Sequence, residues 1–182
     1  MGRLSQAIAE GDGISILVEV SDPEAAGAAE RQGADGLVTG RGADAVRNAS
    51  QLPLLHLGGA READAAGADA VVVAPSTAAW EEARAAELEG VVRVGDSDDL
   101  ERALEEIDPE ILLLSAHPGS ADDPLAVLLA LLHDVPAGKL AIAELRDATA
   151  EDVAELERAG VDGVVVASSD VAALVGAEPP DV

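Results

Sequence analysis

The feature that most limits what this chain can become is its rhythm. Short apolar, β-branched runs, bounded by Gly, Pro, Asp or Ser, recur at residues 14–20, 36–39, 54–57, 70–74, 91–94, 111–115, 140–144 and 163–167. Runs of this length and composition read as buried parallel strands. Between them lie Ala- and Glu-rich segments with helical spacing, at 22–32, 43–49, 60–66, 77–88, 97–106, 122–133 and 150–159, with a last one at 169–174. Strand and helix alternate without exception, eight times over.

Local punctuation agrees with this reading. Asp22-Pro23-Glu24 supplies an N-cap, a proline in the first helical turn and an acid near the positive helix end. Thr149 and Asp152 are spaced as a capping box, with Val153 and Leu156 following on one face. Gly33 and Gly160 stand where helices should stop. A phrase also repeats: Gln32-Gly-Ala-Asp-Gly-Leu-Val enters the second strand, Ala66-Gly-Ala-Asp-Ala-Val-Val the fourth, and Ala159-Gly-Val-Asp-Gly-Val-Val the eighth. It marks even-numbered strands, so the repeating unit is a doubled βα element.

Eight alternating units predict a closed (β/α)8 TIM barrel; an open, doubly wound parallel sheet is the alternative, because alternation alone does not decide closure. Each unit has roughly 23 residues, against about 31 in a barrel of ordinary length. The loops after the strands must therefore be very short. Residues 14–176 are expected to form the single barrel domain, residues 1–13 at most a frayed helix, and residues 177–182 a loose tail.

Composition narrows the function. The 182 residues include 36 acids and 11 bases, a net charge of −25, with no Cys, no Tyr, no Phe and a single Trp. Such a charge repels a phosphate backbone, and stacking platforms are missing, so nucleic acid is excluded as a partner. Without Cys, a disulfide scaffold or a thiolate metal site is impossible. The longest uncharged apolar run, residues 125–132, is too short to span a bilayer, and the N-terminus lacks a basic-then-apolar signal pattern. A cytoplasmic monomer without membrane contact is expected. The acid excess fits either a solvated surface or a high-salt habitat.

In a barrel, chemistry sits where strands end. Three charges lie inside expected strands: Glu19, Arg93 and Glu144. An ionisable group in a buried strand needs a partner. One Arg between two carboxylates would make a compensated cluster in the mouth, either as a structural network or as catalytic groups. His56, Ser115, His117, Arg146 and Ser168 also stand at strand ends as candidate ligand-binding residues. The histidines titrate near neutral pH, but no tight ligand spacing such as H-x-H or H-E-x-x-H occurs, so no metal is expected. Gly40-Arg-Gly-Ala-Asp-Ala matches the loose form of a dinucleotide fingerprint, yet no acid ends the next strand to hold a ribose. Gly119 and Ser120 offer backbone N–H groups to an anion, or form a plain loop. No cofactor is implied.

With the units placed, the order of motifs resembles indole-3-glycerol phosphate synthase over roughly residues 14–176. The stretch from Asp22 to Leu37 is similar to that family's first helix and second strand, and Leu52-Pro-Leu-Leu-His to its third strand. Residues 88–104 are similar to its fifth strand and helix. Ile142-Ala-Glu and residues 148–166 are similar to its seventh unit and eighth strand, motifs shared with other phosphate-binding barrels. The resemblance implies an indole-forming carboxy-lyase of tryptophan biosynthesis with two catalytic lysines, a Glu base and further polar groups at strand ends. Carried over, Glu19 and Glu144 are kept, but the lysine positions hold Ser21 and Leu57. Arg93 stands where a Glu is implied, Ser115 where an Asn is, and His117 where an Arg is. Leu145-Arg146 replaces a Ser-Gly that helps hold phosphate, and Ala167-Ser168 the end of the eighth strand. The only lysine, Lys139, precedes the seventh strand and should lie on the bottom face. Arg is a poor proton donor near neutral pH. The expectation is a synthase-like scaffold that has lost the reaction, repurposed to bind a small anionic or phosphorylated molecule. The alternatives are an isomerase or lyase of small phosphorylated metabolites using Glu19 and Glu144 as acid and base, with Arg93 or Arg146 holding the anion, and a residual synthase.

Overall fold

The structure, a computed structural model, describes residues 2–117, 123–167 and 170–174. Its elements in chain order are α1 (Arg3–Ala9), β1 (Ser15–Glu19), α2 (Pro23–Arg31), β2 (Gly36–Thr39), α3 (Ala43–Ala49), β3 (Leu54–His56), α4 (Ala60–Ala65) and β4 (Ala70–Val73). There follow α5 (Thr77–Ala85), β5 (Glu89–Val94), α6 (Ser97–Glu106), β6 (Ile111–Ser115), α7 (Pro124–His133), β7 (Leu140–Glu144), α8 (Ala150–Ala159) and β8 (Gly163–Val166). Neighbouring strands pair in parallel all the way round. β1 also pairs with β8, from Ser15 against Gly163 to Val18 against Val166. The sheet is therefore a closed (β/α)8 barrel and not an open one.

Strand alternation divides the core in two. Leu17, Val38, Leu55, Val91, Leu113, Ile142 and Val165 form one cluster inside the barrel. Their chain neighbours, among them Ile16, Leu37, Leu54, Val92, Leu112, Leu114 and Val164, pack outward against helix residues such as Ala26, Val46, Leu100, Leu128 and Leu156. The helices begin as their caps predict. Asp22 accepts from the Ala25 N–H at 2.9 Å with Pro23 in the first turn. Thr149 and Asp152 exchange a reciprocal pair, with Asp152 N–H on Thr149 Oγ1 at 3.2 Å and Thr149 N–H on Asp152 Oδ2 at 2.8 Å.

The repeated Gly-x-Asp phrase has a role beyond turning the chain. Asp35 accepts from the Ile16 N–H at 2.8 Å, Asp69 from Leu54 at 2.9 Å and Asp162 from Ala141 at 2.7 Å. Each carboxylate thus satisfies a backbone donor on the preceding, odd-numbered strand at the bottom of the barrel. The glycines Gly33, Gly67 and Gly160 hold φ of 88, 69 and 95°, the left-handed region they tolerate without strain. Before β6 the corresponding residue is Asp108, at φ 53°, with Glu110 where the others have Asp. Asp108 pairs with Lys139 at 2.5 Å, so the only lysine does lie at the bottom.

Two expectations change. Residues 3–9, expected within a frayed segment, form α1, which plugs the bottom of the barrel. Leu4 and Ile8 join the interior cluster. Glu89, at the start of β5, accepts from the backbone N–H groups of Gly2 and Leu4 at 3.0 Å and of Ser5 at 3.3 Å. A helix this short is held by tertiary contacts and not by propensity. The helix expected at 169–174 is, over its described residues 170–174, a turn. Gln32 Oε1 takes the Val171 N–H at 2.7 Å, and Val171 and Leu174 are buried there.

Candidate functional site

Inward parity runs on past the last hydrophobic layer and delivers charged side chains to the mouth. Glu19 follows Leu17 on β1, Arg93 follows Val91 on β5, and Glu144 follows Ile142 on β7. Arg146 keeps the same parity just after β7. The four form one chain of ion pairs. Arg93 Nη2 lies 3.2 Å from Glu144 Oε2. Arg146 Nη2 lies 3.5 Å from Glu144 Oε1, and its Nε 3.2 Å from Glu19 Oε2. Three of the four are the strand charges that the sequence singles out, but the central guanidinium is Arg146. Arg93 reaches Glu144 alone. β1 and β5 stand on opposite sides of the barrel, whereas Arg146 rises between β7 and the β8–β1 seam.

The pairing leaves loose ends. Glu144 is 14% exposed at its side chain and each of its oxygens faces a guanidinium, whereas Arg146 is 52% exposed. The buried Arg93 Nε has no hydrogen-bond partner, and neither does Glu19 Oε2, whose contact with Arg146 is ionic only.

These groups border two hollows. The larger, about 980 Å³, is walled by Leu57, Val72, Val73, Ala74 and Pro75 on one side and by Arg93, Ser115, His117, Glu144 and Arg146 on the other. Asp99 and Asp147 complete its rim. Asp99 is a residue that sequence reasoning missed; it sits in the first turn of α6, bonded to Arg102 at 2.8 Å. The smaller hollow, about 480 Å³, is lined by Glu19, Val20, Ser21, Gly40, Arg41, Arg146 and Ala167. Arg146 alone borders both.

The other expected residues divide. Ser115 lines the large hollow, its hydroxyl 3.5 Å from the Val94 carbonyl. His117 Nδ1 lies 3.2 Å from the Gly95 carbonyl. A carbonyl only accepts, so Nδ1 is the donor in this contact. His56 does not belong to the mouth. Leu55 points inward, so His56 shares the outward face with Leu54. It is 3% exposed, and its Nδ1 accepts from the Gly58 N–H at 2.8 Å. Ser168, with Ser169, Gly119 and Ser120, lies outside the described residues. Among the described residues no group of three His, Asp or Glu side chains is placed to hold a metal ion, and no helix is long and apolar enough to cross a membrane.

No protein-family model matches the chain, and no curated protein does. Solved structures do. N-acetylmannosamine-6-phosphate 2-epimerase from Clostridium perfringens matches with a TM-score of 0.71 at 14% identity, over 84% of this chain and 85% of that one. Phosphoenolpyruvate phosphomutase from Streptomyces platensis subsp. rosaceus matches with a TM-score of 0.70 at 18% identity, over 91% and 80%. Thiamine phosphate pyrophosphorylase from Pyrococcus furiosus matches with a TM-score of 0.66 at 17% identity, over 88% and 90%. At these identities the likeness establishes the (β/α)8 fold. All three neighbours are named for phosphorylated small molecules.

Proposed function

We propose that the barrel mouth binds a small anionic metabolite, on a scaffold related to indole-3-glycerol phosphate synthase that no longer carries that family's reaction. The observation that carries the binding reading is the ion-pair chain Arg93–Glu144–Arg146–Glu19 opening onto a hollow of about 980 Å³. Guanidiniums on a concave, partly desolvated wall recognise carboxylates and phosphates through paired N–H donors. The phosphorylated molecules in the neighbours' names support the same ligand class. Against indole formation stand Leu57, which contributes to the apolar wall where the synthase has a lysine, and Ser21, which lines the small hollow where it has another. Lys139 is at the opposite end, on Asp108.

Glycerol 3-phosphate and inorganic phosphate test the reading by thermal shift. A bound anion at about ten times its Kd should raise the melting temperature by about 3–6 °C. Replacing both guanidiniums, Arg93→Ala with Arg146→Ala, should abolish the shift while leaving a cooperative melt. A flat response to both anions, and to carboxylates of similar size, would remove the reading. The synthase substrate should produce no indole fluorescence; turnover would overturn the loss of that reaction. A second reading, an isomerase or lyase with Glu19 and Glu144 as acid and base, is favoured by the position of Glu144 on the hollow's wall. It predicts solvent-deuterium incorporation into a bound phosphosugar that Glu144→Gln stops.

A further inference from the structure

The ionic balance of the mouth constrains its ligand further than the presence of arginines does. Every carboxylate of the four-residue chain is matched to a guanidinium, and the large hollow sets two guanidiniums, Arg93 and Arg146, against Glu144 and Asp147, its third carboxylate, Asp99, being paired with Arg102. An anion that binds through Arg93 Nη2 displaces Glu144 from a contact of 3.2 Å. Glu144, with 14% of its side chain exposed, then loses one of its two cations in a place where water repays little. Stripping a partner from a buried charge costs far more than an exposed pair contributes. A dianion would add two negative charges to this balanced set, and the protein's overall charge of −25 opposes it further. A ligand carrying its own cation would not.

Resting on the reading of the mouth as an anion site, we infer that its ligand is a zwitterion whose ammonium and carboxylate lie a few bonds apart on an apolar body, the class of apolar α-amino acids. The ligand exchanges partners with the existing pair: its carboxylate takes Arg93 Nη2 and its ammonium takes Glu144. Both charges must act across one Arg–Glu contact of 3.2 Å, which sets their close spacing. The wall opposite them, with Leu57, Val72, Ala74 and Pro75, offers no hydrogen-bonding side chain and suits an apolar substituent. Leu57, where the synthase resemblance implies a lysine, is then a specificity residue of the new site.

Calorimetry on the full chain with L-leucine, N-acetyl-L-leucine and L-leucinamide tests this. The three share a body; the second keeps only the anion and the third only the cation. L-Leucine should bind at least about tenfold more tightly than either derivative, and Glu144→Gln should reduce its advantage over N-acetyl-L-leucine to about twofold or less. If N-acetyl-L-leucine or glycerol 3-phosphate binds and L-leucine binds no more tightly, the zwitterion inference fails while the anion site stands. If L-leucine, N-acetyl-L-leucine and glycerol 3-phosphate all fail to bind at about 10 mM, weaker than millimolar recognition, both fall.

Discussion

Asp35, Asp69 and Asp162 do one job three times, each holding a strand N–H, but their surroundings differ. Asp69 is neutralised by Arg3 at 2.8 Å and Arg47 at 3.0 Å. Asp35 has no ion-pair partner among the described residues. Burial raises its pKa above the ordinary 3.8, and the hydrogen bond from Ile16 only partly opposes that. An acid whose pKa is higher in the folded than in the unfolded state binds protons more tightly when folded. Its ionisation therefore costs stability as pH rises through that interval, and the cost persists above it. Asp35→Asn keeps an acceptor for Ile16 and removes the charge. It should be more stable than the parent at neutral pH, with the gain shrinking as pH falls toward 3.8, in urea titrations across that range. A gain independent of pH would show that the charge is not the cause. The aspartates themselves were legible as a repeat. Their acceptor role was not, because the strand they bond lies 15 to 21 residues away.

At the scale of the element, α1 shows how little local sequence says about a seven-residue helix. Its cap residue is glycine, and no acid stands in its first turn. The acid is supplied by Glu89, 84 to 87 residues away. Leu4 is fully buried, so Leu4→Ala should destabilise the barrel by about 2–4 kcal/mol, read by urea denaturation. Because α1 lies at the far end from the mouth, anion affinity should be unchanged; a change would mean that the two ends are coupled. Strands were easier to read. In β3 the alternation that puts Leu55 inside also puts His56 outside, and that parity was available in the sequence. Arg146 shares the parity of Glu144 for the same reason, yet its central place depends on where β1 arrives.

For the whole molecule, net charge is the dominant long-range term. With −25 on 182 residues, self-repulsion opposes the compact state. Raising KCl from about 20 mM to about 1 M shortens the Debye length from roughly 20 Å to 3 Å and should raise the melting temperature by about 5 °C in a calorimetric scan. A fall would mean that screened ion pairs, such as Arg3–Asp69 and Lys139–Asp108, outweigh the repulsion. The barrel itself follows from the number of units: eight short, buried parallel strands with helices between them have one compact way to leave no open edge. The site is built from strand-end side chains, Glu19, Arg93 and Glu144, joined by Arg146 from the segment after β7.

The eight strands, the helices between them, the caps at Asp22 and Thr149 and the placing of charges near strand ends are legible in the chain read alone. These depend on periodicity and on contacts a few residues apart. That Arg146 bridges Glu19 and Glu144, and that residues 3–9 seal the bottom, emerges only in the folded barrel. Those facts depend on closure, which brings β1, β5 and β7 around one axis and converts distance along the chain into contact.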